Sequence, residues 1–221
     1  MSERIAFLSL LAALPAALIS MAVYAWRGRR RDVDVVGKGG QFLLGLGDFP
    51  MHWLMWVISP IVRASRSLGL GADFYSYLSL ALGLATGPFI ATGHLELGGW
   101  LIVLSGVADA LDGRIARLTG TASRYGDFID STFDRFVEAS TFLGFAFYLR
   151  ATPWGAWIAG AALSGALIVS YARARGEVLG VVCTGGLMQR GERVVLTAAA
   201  SFLDPPLTRM LRIAPGRLAL W

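Results

Sequence analysis

Residues 105–135 read SGVADALDGRIARLTGTASRYGDFIDSTFDR, and five of them are aspartate. Asp109, Asp112, Gly113, Ala116 and Arg117 fall at i, i+3, i+4, i+7 and i+8, so a helix carries all five on one face. Gly126, Asp130 and Asp134 step by four and share a face of a second helix, with Asp127 beside it. The short stretch between the two predicts antiparallel neighbours whose polar faces meet at one depth. Four carboxylates then converge, from Asp109, Asp112, Asp130 and Asp134. Arginines could neutralise part of that charge. A ligand set of oxygens without His or Cys instead suits hard divalent cations: Mg²⁺, Mn²⁺ or Ca²⁺. Two such ions balance four carboxylates, and paired ions stabilise both the attacking and the leaving oxygen of a phosphoryl displacement. Gly113 and Ala116 leave a groove on the aspartate face for a flat or phosphorylated ligand within reach of Arg117. Close packing of membrane helices uses small residues in the same way.

The elements that must position these groups are apolar. The chain has 221 residues, 55% hydrophobic and 16% charged, with a mean hydropathy of +0.58. Soluble domains carry about 25% charged residues. Charge is confined to a few islands between long apolar runs, which predicts an all-α, polytopic membrane helical bundle. About six transmembrane helices are expected, at 5–26, 74–92, 100–118, 128–148, 154–171 and 188–203, the second broken late by Gly87-Pro88. The segment MHWLMWVISPIVRASRSLGL pairs Trp53 and Trp56 with Arg63 and Arg66 and predicts an amphipathic helix lying in the interface. GHLELGG and RATPWG read as turns, TGTASRY as a loop, and the tail DPPLTRMLRIAPGRLALW as too interrupted to span. Residues 1–48 form an N-terminal transmembrane helix with a Gly-rich linker, and 49–221 the main membrane domain. A charged side chain at mid-bilayer costs about 2.5–3.5 kcal/mol even on a lenient scale, so aspartates kept in such helices need a function or a partner.

The formal net charge is +5, and Lys38 is the only lysine among the 20 basic residues. Arg flanking apolar spans and meeting anionic headgroups explains this balance better than nucleic-acid binding. The run 5–26 is too long for a signal-peptide core. The cluster Arg27, Arg29, Arg30 and Arg31 follows it, which places the N-terminus outside and the cluster in the cytoplasm. Counting onward, both aspartate pairs sit at cytoplasmic helix ends, while the basic tail falls outside, against the rule. Cys183 is the single cysteine, so no intramolecular disulfide forms, and it reads as a small apolar filler. His52 and His94 lie far from the aspartates in sequence and are not expected to be ligands.

The pattern Asp109-x2-Asp112-Gly113-x2-Ala116-Arg117-x8-Gly126-x3-Asp130-x3-Asp134 resembles the signature of the CDP-alcohol phosphotransferases, integral membrane enzymes of phospholipid synthesis. All eight fixed positions agree. The resemblance implies that Asp109, Asp112, Asp130 and Asp134 hold two divalent ions, Mg²⁺ or Mn²⁺, and that Asp134 is also the general base. It implies that Asp109, Gly113, Ala116, Arg117 and Gly126 bind the cytidine diphosphate moiety. An alcohol hydroxyl then attacks the phosphate next to the lipid, releasing CMP. The segment VSYARARGEVLGVVCTGGLMQRGERVVL is similar to the matching part of phosphatidylinositol phosphate synthases, with Arg173 where Lys is usual, Gly176 in place of Ala, and Arg193 on a family Arg. Arg173 and Arg193 would hold an acceptor's phosphate. The expected reaction moves a phosphatidyl group from CDP-diacylglycerol to inositol phosphate or glycerol 3-phosphate, in a bacterial inner (plasma) membrane, with the active site facing the cytoplasm. Membrane lipids and a second copy in a homodimer are the expected partners, and nucleic acid is not. Intramembrane aspartates also mark ion pathways, so a divalent-cation transporter or channel is the alternative from another class. A structural relative that only binds nucleotide is a second.

Overall fold

The computed structural model describes residues 2–27, 49–181 and 190–211. Residues 29–31, Lys38 and the rest of the linker, Cys183, and the tail from 212 lie outside the described residues. Among the described residues the chain is all-helical: α1 (Ser2–Trp26), α2 (Phe49–Ser67), α3 (Ala72–Ala91), α4 (Leu95–Thr119), α5 (Arg124–Tyr148), α6 (Gly155–Val178) and α7 (Arg190–Leu211). A 3-10 turn, Leu149–Ala151, joins α5 to α6. By length and composition α3 and α6 can cross a membrane, and α1 adds a shorter apolar stretch, Ala12–Trp26. Helices α4, α5 and α7 carry Asp, Glu and Arg along their lengths.

Helix α3 packs against both α4 and α5; α7 packs on α4, α6 on α5, and α1 and α2 lie against α4. Lipid tails are as apolar as the side chains they surround, so burial from water cannot drive such helices together. Close approach and interhelical hydrogen bonds must do it. Small residues make the α3–α5 crossing possible. A Cβ on Gly144 would stand 2.6 Å from the carbonyl oxygen of Gly87 and 2.8 Å from its Cα. Beside it the buried hydroxyls of Thr86 and Thr141 are 2.8 Å apart, and Ser140 Oγ donates to the Leu84 carbonyl at 2.8 Å. Across α3 and α4, Ser79 Oγ donates to Ser105 O at 3.0 Å and Ser105 Oγ to Ser79 O at 2.9 Å.

The amphipathic segment is helical throughout α2, with Pro60 inside it. Met55, Ile58 and Val62 are buried against Tyr75, Leu111 and Ile115, while Arg63 and Arg66 are exposed. Arg114 Nη1 donates to the Met55 carbonyl at 3.2 Å, which ties α2 to the aspartate-bearing half of α4.

One expected break and three boundaries differ from the sequence expectation, because packing carries the helices past local breakers and charges. Pro88 lies inside α3, which continues to Ala91; Gly87 serves the α5 crossing. The GHLELGG turn shrinks to residues 92–94, since α4 begins at Leu95. Its Gly98 and Gly99 admit neighbours: a Cβ would lie 2.6 Å from Ile90 Cγ1 and 3.0 Å from the Phe202 ring respectively. Helix α6 runs on past Tyr171 to Val178 and carries Arg173 and Arg175. Helix α7 contains Pro205 and Pro206 and takes in the first part of the tail. Each proline removes one helical donor, but Phe202 is held edge-on to Trp100 with centroids 5.5 Å apart.

Gly144→Ala is therefore expected to destabilise the bundle by about 1–3 kcal/mol through overpacking, despite the better helix propensity of Ala. Gly160→Ala, whose Cβ would meet nothing within 4 Å, is the control. Thermal unfolding in detergent checks this, and equal midpoints for the two variants would contradict the crossing.

Candidate active site

Two local stops build the turn between the aspartate helices. Gly120 ends α4 in the left-handed region at φ 69°, a conformation that glycine adopts without a Cβ clash. Ser123 caps α5, its Oγ accepting from the Gly126 N–H at 3.0 Å. The second half of α4 and the first half of α5 thus come to the same end of the bundle, each packed on α3. Ser76, early in α3, and Arg190, first in α7, come to the same end.

Carboxylate oxygens of Asp109, Asp112 and Asp130 all lie within 4.8 Å of one another. Oxygens around one hard cation sit at about 2.0–2.6 Å from it, so opposite ligands are separated by about 4–5 Å. Three all-oxygen donors at this spacing fit one such ion. Asp112 is 6% exposed and lies beside the Ser76 hydroxyl, which donates to the Ala72 carbonyl at 3.3 Å. Asp134 is 8% exposed and joins the group through an arginine. Arg190 Nη1 donates to Asp109 Oδ2 at 3.0 Å and Nη2 to Asp109 Oδ1 at 3.4 Å. The same Nη2 pairs with Asp134 Oδ1. One guanidinium therefore bridges carboxylates from two helices, the compensation that clustered acids in a low dielectric require.

Helix α4 also presents the expected groove. A Cβ on Gly113 would stand 3.3 Å from Arg117 Nη1, so the Arg117 guanidinium lies over the space that glycine leaves. Ala116 is half-buried one turn on, and Gly126 is exposed at the start of α5. Asp127 is exposed, as a helix-start residue favoured by the dipole.

On the other side of Asp134, a cleft between α4, α5 and α7 is lined by Asp134, Glu138, Arg190 and Arg193. Arg193 Nε donates to Glu138 Oε1 at 2.7 Å, and both side chains are 10% exposed. The structure thus brings Arg193 into the cleft that Asp134 also lines, held against Glu138. Arg173 is exposed near the end of α6, ion-paired with Glu177 at 3.2 Å. His94 is bonded to Thr92 at 3.1 Å in the turn, and neither histidine joins the carboxylate group. Spacing alone does not single out Ser76 or Arg190, which reach the site from distant helices. Glu138 does carry a signal, because it continues the four-residue step from Gly126 through Asp134.

Replacing one oxygen donor with an amide should weaken the cation site directly. Asp112→Asn and Asp130→Asn are each expected to lower Mn²⁺ affinity tenfold or more, read from the free-ion electron paramagnetic resonance signal. Asp127→Asn should leave it unchanged.

Comparison with known proteins agrees with this geometry. Residues 70–214 match the CDP-alcohol phosphatidyltransferase family. The archaetidylinositol phosphate synthase of Methanothermobacter thermautotrophicus is 34% identical over 148 residues, covering 64% of this chain and 74% of that protein. The phosphatidylinositol phosphate synthase of Mycobacteroides abscessus is 29% identical over 153 residues, covering 67% and 69%. The crystal structure of Mycobacterium tuberculosis phosphatidylinositol phosphate synthase with CDP-DAG bound superposes with a TM-score of 0.61 at 25% identity, covering 73% of this chain and 84% of that one. A structure of the same enzyme in complex with manganese and citrate also gives a TM-score of 0.61 at 25% identity, over 73% and 80%. With its eight-position signature assembled at one end of an apolar bundle, the chain belongs to the CDP-alcohol phosphatidyltransferase family, membrane transferases of phospholipid synthesis that work with divalent metal ions.

Proposed function

We propose that the protein transfers a phosphatidyl group from CDP-diacylglycerol to a phosphorylated polyol, inositol phosphate before glycerol 3-phosphate, and releases CMP. The observation that carries this reading is the meeting of the aspartate group with two buried-side arginines. Asp134 and Arg190 belong to the carboxylate cluster and, with Arg193, line one cleft. Inositol phosphate is favoured because relatives named archaetidylinositol phosphate synthase and phosphatidylinositol phosphate synthase recur among the similar proteins. The donor follows from the CDP-DAG held by the mycobacterial enzyme.

In this mechanism the acceptor hydroxyl oxygen bonds to the phosphorus that carries the diacylglycerol. The bond from that phosphorus to the CMP oxygen breaks, and CMP leaves with the electron pair. Asp134 takes the hydroxyl proton. Asp109, Asp112, Asp130 and Asp134 would hold two divalent ions, which when bound would supply polarisation of the diphosphate and neutralisation of the charge on the departing CMP. Gly113 and Ala116 leave room for the nucleotide beneath Arg117, with Asp109 and Gly126 completing that side. Arg190 orients Asp109 and Asp134 by donating to both. Arg193 reads the acceptor's phosphate, a role for which the planar guanidinium is suited. For Arg173 the same role rests on the family resemblance, because its side chain is exposed and held by Glu177.

Arginines 63, 66, 114, 117, 124, 173, 175 and 190 lie on helix ends or loops of the aspartate side. This supports an active site facing the cytoplasm, in a bacterial inner membrane. The reading also keeps residues 1–48 as an anchoring helix and linker ahead of a catalytic domain at 49–221, and a homodimer as the working form.

CMP release from CDP-diacylglycerol in detergent tests the proposal with a panel of inositol phosphate, glycerol 3-phosphate, inositol, glycerol and serine. Turnover should require Mg²⁺ or Mn²⁺, stop with chelator, and favour the phosphorylated polyols. A profile confined to plain alcohols would overturn the acceptor class. Asp134→Asn should lower kcat by a hundredfold or more while CDP still binds; near-normal turnover would remove Asp134 as the base. Arg193→Lys, which keeps the charge but loses the fork, should raise the acceptor KM and leave the donor KM unchanged.

A further inference from the structure

The four-residue step on α5 does not end at Asp134. Glu138 lies one turn further from the aspartate end of the bundle and lines the cleft that Asp134 also faces. Its carboxylate is used on one side only. Oε1 accepts from Arg193 Nε at 2.7 Å. Among the described residues, Oε2 is buried and has no hydrogen-bond partner. A buried acceptor left unmatched is costly, and native structures rarely keep one without a reason. The cleft is partly open to the outside, and Asp134, Arg190, Arg193 and Thr197 line it together with Glu138, a convergence of polar groups of the kind that orients a small ligand. The last torsion of a glutamate is broad and nearly two-fold, so its spare oxygen can turn toward an occupant without moving the helix.

We propose that Glu138 is a specificity-determining residue that accepts a hydrogen bond from a non-reacting hydroxyl of a polyhydroxylated acceptor, while its other oxygen holds Arg193. This rests on the phosphorylated-polyol reading above and deepens it. The cleft then joins three functions along one line: Asp134 for the reacting hydroxyl, Arg193 for the phosphate, and Glu138 for the ring or chain that carries both. A carboxylate selects for a donor at that position, so an acceptor lacking the hydroxyl leaves Oε2 unmatched and is rejected.

Glu138→Gln is the discriminating variant. It keeps a carbonyl oxygen for Arg193 Nε but replaces the second oxygen with an amide that only donates. Steady-state kinetics would be run with CDP-diacylglycerol and inositol phosphate, then with a set of monodeoxy inositol phosphates. The acceptor KM should rise about ten- to hundredfold in Glu138→Gln, with the donor KM unchanged. One deoxy analogue should impose a similar penalty on the wild type and no further penalty on the variant. Glu138→Asp, which withdraws the carboxylate by one methylene, should show the same acceptor-specific loss and serves if Glu138→Gln does not fold. An unchanged acceptor KM, or penalties that add for every analogue, would overturn the role and leave Glu138 as a support for Arg193. If the wild type itself turns over no phosphorylated polyol, the acceptor class fails first, and that result is visible without any variant.

Discussion

Carboxylates gathered at one end of an apolar bundle repel one another and lose the water that would screen them. Asp109, Asp112 and Asp130 sit within 4.8 Å of one another, a spacing that demands positive charge among them. Two sources serve. A divalent cation fits the three oxygens, and Arg190 donates to Asp109 and Asp134 from a different helix. On α3 the neutral Ser76 hydroxyl lies beside Asp112. The site is therefore held in shape from four helices, although its acids come from only two.

That arrangement depends on how closely the helices approach. Helix α3 reaches both aspartate helices because Gly83 and Gly87 face α5 without side chains, and because Gly144 lets the backbones meet. The Thr86–Thr141 and Ser79–Ser105 hydrogen bonds then fix depth and rotation. With a bulky residue at the crossing, α3 would stand off and Ser76 would leave Asp112. At the far end, Phe202 against Gly99 and Trp100 anchors α7 on α4. The tilt of α7 decides where Arg190 and Arg193 lie. Packing of small apolar groups far from the chemistry thus sets the geometry of the charges.

Along α5 the same face changes character turn by turn: Gly126 at the surface, Asp130 in the carboxylate group, Asp134 on Arg190, Glu138 in the cleft, and Thr141 in the contact with α3. On the proposed reading, a single helix would order nucleotide, metal and acceptor functions by depth. Arg190 and Arg193 of α7 repeat that order one turn apart, each matched to an acid of α5. The cleft between these two helices is the meeting place of the opposite charges.

Helix periodicity was enough to place Asp109, Asp112, Asp130 and Asp134 on two facing surfaces, since a short loop leaves adjacent helices little freedom. Hydropathy placed most of the helices; the break expected at Pro88 does not occur, and ends were missed at Gly98, Gly99 and Pro205, where packing outweighs a breaker. Amphipathic pattern likewise identified α2. Contacts between residues far apart in the chain were not legible, because nothing local encodes which face of α7 turns inward. The tertiary structure alone decided that Arg190 bridges Asp109 and Asp134, that Ser76 comes to lie beside Asp112, and that Arg193 is held by Glu138 while Arg173 stays exposed. The physical reason is that a helix fixes angles within itself, whereas the partner across a gap depends on the small residues that let two helices close.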